Sequence, residues 1–157
     1  SFGVRGPVSI HQAVSLSPVE IISMQITKSV NGAGKGKASD TMGMKHKVTS
    51  AMYVAKGSIN HQLAQKTGFT DEDAEKIKEA LRTLFVNDAS AARPDGSMEV
   101  CKVYWWRHNC PMGQYSSAKV HRSLKISANT ELPKCFEDYS ITVEALDGLE
   151  PEVIEGV

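Results

Sequence analysis

Two β-rich runs frame a stretch that suits neither strand nor helix, and this arrangement limits what the chain can build. "VEIISMQIT", residues 19–27, carries β-branched and other apolar residues on both pleat faces and directly follows Pro18. That pattern predicts a buried strand. "VTSAMYVAKGSI", residues 48–59, predicts a second strand with Val48, Met52 and Val54 on one face and Tyr53 on the other. Between them lies "KSVNGAGKGKASDTMGMKHK", where Gly32, Gly34 and Gly36 alternate with lysines. The expectation is a strand, a long loop over residues 28–47, and a strand. Loops of that length inside a compact domain are functional or lack fixed structure.

The strongest helical signal is "TDEDAEKIKEALRTLFVND". Thr70 is a good N-cap, and Asp71, Glu72 and Asp73 place negative charge at the positive end of the helix dipole. Ala74, Ile77, Leu81, Leu84 and Phe85 recur at helical spacing on one face. "PDG" at residues 94–96 predicts a turn. "MEVCKVYWWRH" then predicts a strand, with Val100, Tyr104 and Trp106 opposite Cys101, Val103 and Trp105. "SLKI" and "YSITVEAL" predict two further short strands. The order strand, loop, strand, helix, strand is the second half of a βαββαβ unit of ferredoxin-like or RRM-like type. The opening strand–helix pair of that unit is not visible in residues 1–18, which hold Gly3, Gly6, Pro7 and Pro18 without helical periodicity. The pattern suggests either a fragment or a sheet of unusual order.

A length of 157 residues suits one domain with a moderate core. No apolar run is long enough to span a bilayer, and "SFGVRGPVSI" lacks a signal-peptide layout. Cys101, Cys110 and Cys135 are odd in number and lack metal-ligand spacing, so reduced thiols in a cytosolic protein are expected. The 18 basic and 18 acidic residues cancel, but they are segregated. Residues 1–66 hold eight Lys/Arg against Glu20 and Asp40, and residues 91–126 hold six against two acids. Residues 127–157 hold one lysine against eight acids. All five histidines fall in the two basic blocks. Two basic blocks that converge would hold a polyanion regardless of the zero sum, whereas lysines that only solvate a surface would not.

Several segments, in order, resemble one family. These are "VRGPVSI", "TMGMKHKV" ahead of a strand, "TGFTDEDAEKIKEAL", "NDASAAR" closing the helix, and "NCPMGQYSSAKVH" after a strand. The chain is similar to the C-terminal part of the CRISPR-associated backbone subunits of subtype I-C Cascade surveillance complexes, within the RAMP superfamily. The resemblance implies a modified RRM-like α+β fold over residues 1–157, with an antiparallel sheet, a thumb-like hairpin loop at 28–47 and an acidic segment at 131–157. It implies a CRISPR RNA-binding subunit that grips the sugar-phosphate backbone without base specificity and oligomerises along the RNA. Its partners would be copies of itself, other Cascade subunits and, through the RNA, target DNA. It implies no cofactor, no membrane and no catalysis, with cleavage left to other proteins.

On this resemblance the thumb contacts phosphates through Lys28, Lys35, Lys37, Lys45, His46 and Lys47, and Met42 or Met44 wedges against a base. Arg5, restrained by Gly6 and Pro7, is a phosphate ligand or the cation of a structural ion pair. Arg93 caps the preceding helix or reaches RNA. Tyr53, Tyr104, Trp105 and Trp106 invite a base-stacking role, but core packing or a subunit contact is the stronger expectation. The rival readings are a solvated surface loop, a structural fragment that does not bind RNA, and a metal-dependent ribonuclease using Asp40. Asp40 is the only acid between residues 21 and 70. Metal-assisted phosphoryl chemistry ordinarily needs more carboxylates or a bound phosphate to hold the cation. The acidic terminus shields an edge, meets a basic neighbour or simply solvates the chain end.

Overall fold

A computed structural model gives the fold, and residues 1–27 and 42–157 are described. They form an α+β structure in which every strand pairs with a single partner, giving five two-stranded sheets. The strands are β1 (Val8–Ile10), β2 (Val14–Ser15), β3 (Ile21–Thr27), β4 (Met42–Val48), β5 (Tyr53–Val54), β6 (Gly57–Ile59), β7 (Lys102–Trp106), β8 (Leu124–Ala128), β9 (Tyr139–Val143) and β10 (Pro151–Glu155). The helices are α1 (His61–Thr67), α2 (Asp71–Arg82) and α3 (Ser117–Ser123). Two compact units result: Ser1–Ala13, Ala55–Ile126 and Ile141–Val157 form the first, and Val14–Val54 with Ser127–Ser140 the second.

In the first unit, α2 starts as its sequence predicts. Thr70 Oγ1 accepts from Asp73 N at 3.3 Å, and Asp73 Oδ2 accepts from Thr70 N at 3.0 Å, a reciprocal capping box. The Thr70 backbone N–H, and then its hydroxyl, hold the Asp73 carboxyl below its ordinary pKa. The stability from this ionised cap is therefore present at neutral pH and is lost as pH falls through that lowered value. The helix stops at Arg82, before the expected Leu84 and Phe85. Thr83 bonds its hydroxyl to Glu79 O at 2.8 Å, and Val86 N bonds to Thr83 O at 3.0 Å, which turns the chain. The predicted turn at 94–96 is present, with Ser97 N bonded to Pro94 O and Gly96 at φ +71°.

Strand β7 pairs antiparallel with β10, from Pro151 opposite Trp106 to Glu155 opposite Lys102. Glu152 therefore sits across from Trp105, where the Lys78 side chain of α2 arrives. Lys78 Nζ lies 2.7 Å from Glu152, 2.8 Å from Glu75 and 5.4 Å from the Trp105 ring centroid, with its side chain only 12 % exposed. The two carboxylates, Glu152 foremost, raise the ammonium pKa. Lys102 pairs with Glu155 at 2.9 Å. Part of the acidic terminus thus covers the edge of β7 and neutralises two lysines there. On the opposite face, Tyr104 and Trp106 stack with centroids 6.1 Å apart.

Sequence periodicity missed α1, α3, β1, β2 and β10, because each is short or interrupted. Ser116 caps α3 by accepting from Lys119 N. Val120 of α3 and Leu149 are the buried hydrophobic residues among those described, and Ser123 is fully buried. Gln114 and Tyr115 bond to the Gly148 and Asp147 carbonyls at 2.7 and 2.8 Å, fastening the loop before α3 to the turn that carries Leu149. Strand β1 pairs with β6 with Ile10 opposite Gly57, where a Cβ would lie 2.8 Å from Ser9 O, so only glycine permits this approach.

Two expectations in the second unit, and one whose residues run on into the first, are corrected. Residues 21–27 do form a strand, but all seven are exposed, because β4 is their sole strand partner among the described residues. The predicted single strand over 48–59 is divided among β4, β5 and β6, each of which pairs with a different strand. Residues 42–47, expected in the loop, belong to β4 and continue the ladder with β3. Elsewhere in this unit, Ser17 Oγ and Tyr139 Oη are 3.3 Å apart, and Ser140 Oγ bonds to Asn129 Oδ1 at 2.7 Å.

Thr70→Ala should lower unfolding free energy by about 1 kcal/mol through loss of the cap, read as a reduced melting temperature. Lys78→Ala should cost about 1–2 kcal/mol by unpairing Glu152 and uncovering Trp105. Lys76→Ala, which breaks an exposed 3.7 Å pair with Asp73, should change stability by under about 0.5 kcal/mol. Equal effects at Lys76 and Lys78 would contradict the assignment.

Candidate nucleic-acid interface

The β3–β4 ribbon holds seven residue pairs in register, from Ile21 opposite Val48 to Thr27 opposite Met42. Side chains directly opposite in an antiparallel pair share a face, and successive residues alternate. One face therefore carries Ile22, Met24, Ile26, Gly43, Lys45 and Lys47. The other carries Ile21, Ser23, Gln25, Thr27, Met42, Met44, His46 and Val48. Neither strand contains an acid.

Alternation along β4 places Lys45 and Lys47 on one face and Met42, Met44 and His46 on the other. Lys45 and Lys47 sit about 7 Å apart along one face, given the rise per residue of a strand. Lys45 is half-buried and Lys47 is exposed. Met42 and Met44, 62 % and 56 % exposed, stand on the opposite face with His46. His46 Nδ1 lies 2.8 Å from Ser23 Oγ, which orients the ring, and Gln25 Nε2 approaches Met42 Sδ at 2.9 Å. Sequence reasoning overlooked Ser23 and Gln25. Their signal is the alternation Ile-Ser-Met-Gln-Ile, which places polar groups on one pleat face, but it is legible only once the partner strand and register are known.

A ribbon of this kind can offer ammonium groups to phosphates beside the apolar Ile22, Met24 and Ile26 on one face, and the Met42 and Met44 thioethers to flat apolar surfaces on the other. Lys28, Lys35, Lys37 and Asp40, with Gly32, Gly34 and Gly36, lie outside the described residues. Arg5 belongs to the first unit, where it is exposed and forms no ion pair among the described residues. Arg93 is neither a cap nor free. Its Nε and Nη2 donate to Asp88 at 3.0 and 3.2 Å.

Among the described residues, no group of three or more His, Cys, Asp or Glu could hold a metal ion. The three cysteines are free, and the Asp138 carboxylate beside Cys135 pushes that thiol's pKa up, away from reactivity. No helix among the described residues is long and apolar enough to cross a membrane.

No curated protein matches the chain. A family model described as CRISPR-associated protein Cas7 does match, over residues 2–144. The chain therefore belongs to the Cas7 family, which implies an effector backbone subunit that binds CRISPR RNA in a Cascade-type complex.

Proposed function

We propose that the chain is the RNA-gripping backbone subunit of a subtype I-C Cascade complex, with an RRM-like fold, acting in the cytoplasm alongside further copies of itself. The carrying observation is the acid-free β3–β4 ribbon, on which Lys45 and Lys47 share a face with Ile22, Met24 and Ile26 while exposed Met42 and Met44 stand on the other. Lys45 and Lys47 contact phosphates, so affinity depends on charge and not on base identity. Met42 and Met44 pack against a base from the opposite side of the ribbon. His46, oriented by Ser23, adds a donor at the junction of charged and apolar surface. Target DNA is then read by pairing with the held RNA.

The subunit works without catalysis. A cation needs several oxygen ligands, and Asp40 has no acidic neighbour in sequence from 21 to 70, while neither ribbon strand offers a carboxylate. Single-stranded RNA incubated with divalent metal should therefore remain intact. Cleavage that Asp40→Ala abolishes would overturn this.

Lys45→Ala with Lys47→Ala should reduce the slope of log affinity against log salt by about 1.4, at about 0.7 per phosphate contact on a single strand. The loss should be equal for unrelated RNA sequences. Met42→Ala with Met44→Ala should weaken binding without moving the salt slope. If the lysine variant keeps native affinity and slope, the ribbon is not the gripping element.

A further inference from the structure

Among the described residues His46, His108 and His121 each make a side-chain hydrogen bond, and their partners differ in what they can do. His46 meets the Ser23 hydroxyl, which can donate or accept. His121 Nε2 meets the Gly57 carbonyl, which only accepts, so a charged ring keeps that bond. His108 is the opposite case. Its Nδ1 lies 3.0 Å from the backbone N of Gln114, a group that only donates. That bond exists only while Nδ1 keeps its lone pair and the ring is uncharged.

The same bond closes a short loop. Gln114 is held at three points: its N–H by His108, its Oε1 by the Asn109 N–H at 2.9 Å, and its Nε2 by the Gly148 carbonyl at 2.7 Å. Gly113 N bonds to Cys110 O at 3.0 Å within the loop. Gly113 has φ +80°, and a Cβ there would lie 3.2 Å from Tyr115 O and 3.6 Å from His108 Nδ1, so the chain passes tight against the ring. Tyr115 Oη donates to the Asp147 carbonyl at 2.8 Å. Residues 108–115 are thus strapped to the turn at 146–149, whose Leu149 is buried.

The ionisable groups around the ring offer a second proton no compensation. Arg107, next to it in the chain, is paired with Asp71 of α2 at 2.9 Å. From α3, Lys119 Nζ stands 4.4 Å from the Tyr115 ring centroid. Cys110 in the loop is free and exposed. Asp147 and Glu150 at the turn are exposed, and no carboxylate among the described residues pairs with His108. Protonating Nδ1 therefore sets one N–H donor against another, with no anion to hold the charge.

We propose that His108 is a pH-sensitive latch: the uncharged ring fastens the 108–115 loop to the 146–149 turn, and protonation of Nδ1 releases it. The direction follows from the partner. The bond is present when the ring is neutral and is lost as pH falls through the imidazole's titration, within about pH 8 to 5 for such rings. The Asp73 cap is held by a carboxyl already below its ordinary pKa, so it survives this window. The latch involves no residue of the β3–β4 ribbon and stands whether or not the ribbon grips RNA.

Amide hydrogen exchange of the full chain tests this, expressed as protection factors so that the direct effect of pH on exchange is removed. Protection at the Gln114 amide should fall about tenfold between about pH 7.5 and about pH 5.5, while the Asp73 amide keeps its protection. His108→Asn places an amide oxygen where Nδ1 stands and cannot titrate, so Gln114 should stay protected at both pH values. His108→Ala removes the acceptor, so Gln114 should be unprotected at both. Equal protection of Gln114 at the two pH values in the native chain overturns the latch, whatever the variants do. An undiminished acid loss in His108→Asn, or full protection in His108→Ala, also overturns it, because the ring would then not be the group that holds the loop.

Discussion

The proposed RNA-gripping surface of the second unit depends on the ladder between β3 and β4. A two-stranded ribbon exposed to water on both faces is marginal alone, because neither face gains burial. This one leaves Ile21, Ile22, Met24, Ile26, Met42, Met44 and Val48 exposed. Its regular register nonetheless fixes which groups point together. In this register Lys45 and Lys47 stand opposite Met24 and Ile22, so the cationic face also carries apolar side chains. Alternation along β4 parts Lys45 and Lys47 from Met42 and Met44, and the pairing adds Ile22 and Met24 to the lysine face and Ser23 and Gln25 to the other.

The first unit resolves its charge differently. Its acidic terminus returns as β10, and Glu152 and Glu155 are consumed by Lys78 and Lys102. Lys125 is likewise held by Glu144, and Arg107 by Asp71. A sequence of zero net charge therefore neutralises itself locally, and the residual positive charge concentrates where no acid is encoded. Net charge says little about such a molecule, whereas the position of each acid says a great deal.

Local signals were well legible in the sequence. Thr70 and the acids after it mark the start of α2, Pro94 to Gly96 mark the turn, and the alternation in Lys102–Trp106 marks β7. Pairing partners were not legible. Residues 19–27 look buried because apolar residues occupy both pleat faces, and composition alone cannot distinguish a central strand from a ribbon standing in water. The run 48–59 looks continuous because periodicity carries no trace of the changes of partner at Thr49 and Ala55. Strands of two or three residues, such as β2 and β1, fall below any periodic signal. At the candidate site the residue types were legible, but their division into two faces needed the finding that residues 42–47 form a strand rather than loop.

Family membership implies a subunit that binds CRISPR RNA, and the proposed grip is on the RNA backbone. Such a grip leaves bases free for pairing, which is why indifference to sequence is the property on which the account turns. The most direct measurement is the affinity of the intact chain for several unrelated single-stranded RNAs of equal length at one fixed salt concentration. Affinities that agree within about threefold are predicted, since phosphates carry no base identity. A preference of a hundredfold or more for one sequence, the discrimination expected from direct base contacts worth about 1–3 kcal/mol each, would contradict it.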